Sequence, residues 1–365
     1  MASHRPLPPG SRIGILGGGQ LGRMLTVAAS RLGHRVSIYS DGDENPAFDV
    51  AADATRGAYD DRAGLEAFAD GLDVITYEFE NVPVEAAAWL TERVPVYPKP
   101  GVLRVAQDRL AEKTFISERG IGVAPFANVE SIEDVRGAGT AVGAPAILKT
   151  RRMGYDGKGQ VPVSAASDIE AAWVALHRQP CVLEARIGFE AELSVLVVRG
   201  QDGATRTYDC PRNTHAGGIL RTSTVPSGLP EPIETHAKRM ATDIASALDY
   251  VGVLGVEFFC LPDAHGQANA ADRLLVNEIA PRVHNSGHWT SDACACDQFE
   301  NHIRAVCGWP LGPTDRDRDV EMRNLIGDDV AMWDQLAAEE NVRVHLYGKR
   351  DARPGRKMGH VNTLT

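Results

Sequence analysis

The chain has 365 residues, 43% of them hydrophobic and 24% charged, enough to bury a full core and to divide into two or three domains. Its net charge of −11 excludes non-specific nucleic-acid binding, which needs a basic face, and requires cations for any anionic substrate to be concentrated locally. No apolar run spans a bilayer and the N-terminal stretch lacks a signal-peptide core, so a cytoplasmic protein without membrane partners is expected. The six cysteines show no Cys-x-x-Cys spacing, which fits reduced, mostly buried thiols.

In chain order, Arg12–Leu16 reads as a short apolar strand, followed by Gly17, Gly19 and Gly22 in Gly-x-Gly-x-x-Gly spacing. A helical segment to Leu32 and a strand Val36–Tyr39 complete a unit that would set backbone N–H groups at a phosphate. With Asp41 after the second strand, this unit alone also suits a nicotinamide dinucleotide. A further strand at Val74–Tyr77, leading into Glu78-Phe79-Glu80, extends a parallel, doubly wound sheet to about residue 108. Pro98–Gly101 marks a boundary, and Leu103–Arg119 is predicted as one helix whose Arg109 and Lys113 read most plainly as a solvated face.

Pro145–Lys149 is a buried strand ending in a lysine. Met153, Gly154, Tyr155, Asp156, Gly157, Lys158 and Gly159 then suit a mobile flap over phosphates, or else a plain hairpin turn. Cys181–Glu184 is a strand running into an irregular segment whose backbone could meet an adenine edge, and Glu192 stands on the next β-rich segment. Asn213–His215 is expected as a polar turn, Gly217–Thr222 as a strand and Glu234–Leu248 as an amphipathic helix.

Two apolar strands are each interrupted by an acid, Glu257 in the first and Asn277-Glu278 in the second. An antiparallel hairpin would set Glu257 and Glu278 side by side in what should be core. Such a pair is tolerable with a divalent cation between the two acids, and hard oxygen donors favour Mg²⁺. Arg282, His284, Asn285, Ser286 and His288 follow at once, so metal and anion chemistry would share one cleft. The end of the chain carries Lys349, Arg350, Arg353, Arg356 and Lys357, five cations in nine residues, placed for an anion or simply solvated.

Together these motifs resemble the ATP-grasp superfamily and, within it, the 5-(carboxyamino)imidazole ribonucleotide synthases. Residues 19–24, 153–159, 277–288 and 353–357 carry the likeness. The resemblance implies an α/β fold with a Rossmann-like pre-ATP-grasp domain (1–108), a small lid (109–188) and a large lobe with a β-rich end (189–365). It implies an ATP- and bicarbonate-dependent carboxylation of 5-aminoimidazole ribonucleotide by a Mg²⁺-dependent homodimer. By the same resemblance, Arg109, Lys149 and Lys158 would hold ATP phosphates beneath the flap residues Met153 to Gly159. Glu184, Ala185, Arg186 and Ile187 would bind adenine, Glu192 the ribose, and His215 would lie near the nucleotide. Glu257 and Glu278, helped by Asn277, would ligate Mg²⁺. Arg282, His284, Asn285 and Lys149 would act on bicarbonate and carboxyphosphate. Tyr155 and Asp156 would reach the imidazole, and Gln20, Lys349 and Arg356 the substrate phosphate.

Two positions depart from the superfamily pattern. Ala280 stands where many ATP-grasp enzymes have Asn, as it does in the narrower family, and Met153 fits the flap only with negative φ. Rival readings are a formate-dependent or biotin-type ATP-grasp ligase, an NAD-dependent oxidoreductase, and a non-catalytic sensor.

Overall fold

The computed structural model describes residues 5–154, 158–263 and 269–365. Tyr155, Asp156 and Gly157, expected at the flap tip, lie outside the described residues, as does the turn of the acid-bearing hairpin. The described residues form three sheets. In the first, β1 (Arg12–Leu16), β2 (Arg35–Ser40), β3 (Asp53–Arg56) and β4 (Val74–Tyr77) run parallel in the order β3-β2-β1-β4. Nearly continuous apolar burial along β1 and β4 is what a sheet covered on both faces requires. Four helices accompany it: α1 (Gln20–Arg31), α2 (Arg62–Ala69), α3 (Val84–Thr91) and α4 (Pro100–Ala106).

The expected single helix over 103–119 is two helices. α4 ends at Ala106, and α5 (Arg109–Ser117) starts afresh because the Asp108 carboxylate accepts the N–H groups of Leu110 and Ala111. Asp108 is also gripped by Arg151, which fixes the break. The alternative of a solvated face holds for neither cation, since Lys113 is 1% exposed and Arg109 lines the central cleft.

The second sheet, ordered β5-β8-β6-β7, consists of β5 (Phe126–Val129), β6 (Ala146–Thr150), β7 (Gln160–Val163) and β8 (Cys181–Ala185). The helices α6 (Ile132–Val142) and α7 (Ile169–Ala175) pack on it. The large sheet comprises β9 (Ala191–Arg199), β10 (Thr205–Thr207), β11 (Arg212–Ala216), β12 (Ile219–Val225), β13 (Gly252–Cys260), β14 (Leu274–Ala280), β15 (Val320–Ile326), β16 (Val342–Leu346) and β17 (Lys357–Leu364). Its order is β14-β13-β9-β11-β12-β15-β17-β16, with β10 paired to β9. Asn213–His215 is strand rather than turn, because β11 pairs with both β9 and β12 and the chain reverses after Ala216 through Gly217 and Gly218, both at positive φ. The helix α8 (Glu231–Ala247) buries Ile233, Ala237, Met240, Ala241 and Ile244 against β9 and β13. All six cysteines stand unpaired, and among the described residues no helix is long and apolar enough to cross a membrane.

Candidate active site

A cleft of about 970 Å³ lies where the three sheets meet, and it gathers most of the residues singled out above. The acid-bearing hairpin is antiparallel with Glu257 directly opposite Glu278, beside an irregularity in the ladder. These residues are not core. The Glu278 side chain keeps 42% of its exposure, because β14 is the edge strand and the pair looks into the cleft.

Burial and then the neighbouring Glu278 push the Glu257 carboxyl up to about 7. One cation and one imidazole face the pair: Arg109 Nη1 lies 3.1 Å from Glu278 Oε2, and His284 Nε2 lies 3.3 Å from Glu257 Oε1. The donor set is two carboxylates with the Asn277 amide nearby, all hard oxygens. That suits Mg²⁺ sharing its shell with phosphate oxygens rather than an all-protein cage. Among the described residues no cluster of three or more His, Cys, Asp or Glu could hold a metal ion.

On the side of the second sheet, Lys149 Nζ reaches Glu184 Oε2 at 2.9 Å, and Lys113 Nζ reaches the same oxygen at 3.2 Å. Burial alone would raise the Glu184 carboxyl, but the two ammonium groups hold it below its ordinary value. Burial lowers the Lys149 ammonium in turn. One oxygen of Glu184 is therefore committed, while its Oε1 is buried with no hydrogen-bond partner among the described residues. Two N–H groups of the expected adenine segment are committed as well, Ala185 to Pro125 O and Arg186 to Pro145 O. Recognition of a purine edge would fall to the rest of that backbone, including Ile187. Phe189 and Phe259 stack 4.8 Å apart in the cleft lining.

Arg109 also donates to the Gly154 carbonyl at the start of the flap. Met153 sits at φ +61°, against the expectation of negative φ. It is 72% exposed, so no packing offsets a left-handed conformation that costs a non-glycine residue roughly 1–2 kcal/mol. Lys158 lines the same cleft, and Gly159 takes φ +68°.

His215 Nδ1 lies 2.9 Å from Glu192 Oε2 on adjoining strands, with Glu257 close by. Burial opposes charge on this imidazole, but Glu192 prevails and raises its pKa. For His284, burial followed by Arg282 pushes the ring down to about 3, so it is neutral at physiological pH. A hydrogen-bond chain selects its tautomer. The Asn213 amide donates to Ser194 Oγ at 3.0 Å, Ser194 pairs with Ser286 at 2.6 Å, and Ser286 Oγ lies 2.8 Å from His284 Nδ1. Donation along that chain ends on Nδ1 and leaves the proton on Nε2, facing Glu257. Asn285 and Asn324 exchange amide hydrogen bonds at 2.9 and 2.8 Å, which holds Asn285 at the cleft wall.

At the far end, Lys349, Arg356 and Gln20 line the same cleft. The β16–β17 hairpin brings the two cations together, with Lys349 Nζ donating to Lys357 O and Arg356 Nη2 pairing with Glu44 at 2.5 Å. Glu78, whose carboxyl burial pushes up, accepts the N–H groups of Gly19 and Gly22, so these two donors of the glycine loop are already taken.

Glu80, two residues on, meets Arg282 Nε at 2.5 Å. Burial would raise Glu80, yet Arg282 holds it at about 2. Neither acid was singled out from the sequence as a site residue. The available signal was their position just past β4, at the carboxyl end of a parallel strand, where open α/β sheets build their crevices.

Three family descriptions match the chain: a ribonucleotide synthetase preATP-grasp domain over 11–107, an ATP-grasp domain over 114–299, and a phosphoribosylaminoimidazole carboxylase C-terminal domain over 321–365. The N5-carboxyaminoimidazole ribonucleotide synthase of Brucella melitensis is 49% identical over 360 residues, covering 98% of this chain and 97% of its own. The crystal structure of the Thermus thermophilus synthetase superposes with a TM-score of 0.88 at 43% identity, covering 97% and 93%. The Aspergillus clavatus enzyme, crystallised with ADP and 5-aminoimidazole ribonucleotide, gives 0.88 at 30% identity, covering 98% and 94%. With this match along nearly its whole length and one cleft shared by the three sheets, the chain belongs to the N5-carboxyaminoimidazole ribonucleotide synthase family of ATP-grasp ligases.

Proposed function

We propose that the chain carboxylates the 5-amino group of 5-aminoimidazole ribonucleotide with bicarbonate and ATP, through carboxyphosphate, releasing ADP and phosphate. The observation that carries this reading is a single cleft holding three groups in series: the Glu257/Glu278 pair, the Arg282–His284–Asn285 run, and the Lys349/Arg356 end. Family membership supports the substrate.

In this reading Arg109, Lys149 and Lys158 neutralise and align the ATP phosphates. Bound Mg²⁺, held by Glu257 and Glu278, would supply further charge neutralisation as the γ-phosphoryl transfers. Arg282 and Asn285 hold bicarbonate so that its oxygen attacks the γ-phosphorus and ADP leaves. Neutral His284 presents Nε2–H to the anion that forms. Carboxyphosphate then gives CO₂ and phosphate, and the amine nitrogen bonds to CO₂ with loss of one proton. Cytoplasmic location is proposed on the unpaired cysteines, which fit a reducing compartment. A homodimer is proposed with it, on the family resemblance alone.

Omitting one substrate at a time tests the reading. ADP formation should need bicarbonate and rise with the ribonucleotide, and formate should not replace bicarbonate. Turnover with formate, or tight NADH binding in place of ATP–Mg²⁺, would overturn it.

The ion pair between Glu80 and Arg282 gives a separate expectation. Both side chains keep part of their surface in the cleft, at 28% and 18% exposure, so the loss is smaller than for a fully buried pair. Glu80→Ala should lower the unfolding free energy by about 1–3 kcal/mol in urea and raise the bicarbonate KM, because Arg282 loses the partner that aims it. Unchanged stability and KM would show that Arg282 is aimed by other groups.

A further inference from the structure

One face of α5 is turned onto the outer edge of β14. Arg109, Glu112 and Lys113, spaced i, i+3 and i+4, share that face, and each reaches a different one of three successive strand residues. Lys113 Nζ donates to the Asn277 carbonyl at 3.2 Å, Arg109 Nη1 meets Glu278 Oε2 at 3.1 Å, and the Ile279 N–H donates to Glu112 Oε1 at 2.5 Å. β14 ends its sheet, so Lys113 and Glu112 satisfy backbone groups that a further strand would otherwise pair. Glu112 is only 3% exposed and lies close to a second acid, Glu278. A buried carboxyl is costly unless hydrogen-bonded, and this one accepts the Ile279 N–H.

We propose that Glu112 is a positioning residue for the metal-binding acids. By holding the Ile279 amide it keeps Glu278 opposite Glu257 when Arg109 leaves Glu278 for a nucleotide phosphate. The inference rests on the reading of Glu257 and Glu278 as the metal pair. Lys113 is a second tether, and it also touches the Glu184 carboxylate that holds Lys149. One turn of helix therefore sets the metal acids and the phosphate lysine in a common frame.

The test uses Mn²⁺ as probe, titrated into the full-length enzyme with saturating ADP and followed by loss of the free-ion electron paramagnetic resonance signal. Glu112→Met should weaken Mn²⁺ binding roughly tenfold, the scale of groups that orient metal ligands. Glu112→Gln, which keeps an acceptor for Ile279, should stay within about threefold of wild type, and metal-free ADP affinity should be unchanged in both. Wild-type Mn²⁺ affinity in Glu112→Met would overturn the proposal, as would an equal loss in Glu112→Gln or a parallel loss of metal-free ADP affinity. If Glu112→Met does not fold, Glu112→Asp withdraws the acceptor while keeping a carboxyl group and must show the same tenfold loss, and wild-type binding there overturns the idea. Failure of the wild-type ADP complex to take up Mn²⁺ would overturn the metal reading itself, which is distinguishable from failure of the Glu112 role alone.

Discussion

Replacing Glu278 or Glu257 by Gln is expected to lower ATP turnover at least about a hundredfold while the fold survives, because several kcal/mol of charge stabilisation at the phosphoryl group would be lost. The two acids face each other across the β13–β14 ladder, and the charge of one raises the carboxyl of the other. Removing either relieves that repulsion, so stability should hold or rise slightly. In Glu278→Gln the guanidinium of Arg109 also loses its 3.1 Å partner and becomes more available to phosphate. ATP binding measured without metal should therefore tighten or stay level while turnover collapses. Circular dichroism and a thermal melt would confirm the fold, and a coupled ADP assay would read the rate. Near-normal turnover in both variants would remove the metal assignment.

The hairpin was legible because an acid inside an apolar run is costly and two such runs close in sequence can pair only one way that sets the acids together. The β1–α1–β2 unit was legible for a similar reason, since apolar strands and a glycine loop at fixed spacing leave few alternatives. What α1 binds was not legible. A Gly-x-Gly-x-x-Gly loop announces an acceptor but not which one, and here two of its N–H groups go to the chain's own Glu78, 59 residues away from Gly19. What surrounds Arg109 and Lys113 was not legible for the same reason. With Glu112 they form a charged stripe that looks solvated until β14 is known to lie against it. The break before α5 depends on Arg151 reaching Asp108, a contact that helical periodicity cannot contain. Asn213–His215 was missed because its pairing partners, β9 and β12, are not written in its own local pattern.

Arg356→Ala and Lys349→Ala should each raise the KM for 5-aminoimidazole ribonucleotide by about ten- to a hundredfold, since a charge-assisted hydrogen bond to phosphate is worth roughly 1.5–3 kcal/mol. The KM for ATP should move little, because its phosphates are assigned to the lid side of the cleft. Lys349 adds a pH signature. Burial, and then Arg356 beside it, pushes its ammonium down to about 8. Phosphate binding favours the charged form, so the ribonucleotide KM should climb as pH rises through that value, by roughly five- to tenfold between pH 7.5 and 9. The substrate phosphate is already a dianion in this range and adds no titration of its own. In Lys349→Ala the climb should vanish. In Arg356→Ala it should move to higher pH, because the neighbouring cation that helped depress the ammonium is gone. Glu44 already pairs with Arg356 and accepts the Arg350 N–H, so an arriving phosphate must share or displace it. Steady-state kinetics on the three enzymes across pH would check each part. A flat wild-type profile with unchanged constants in both variants would make the cluster a solvated hairpin, and a rise in the ATP constant alone would exchange the two phosphate sites.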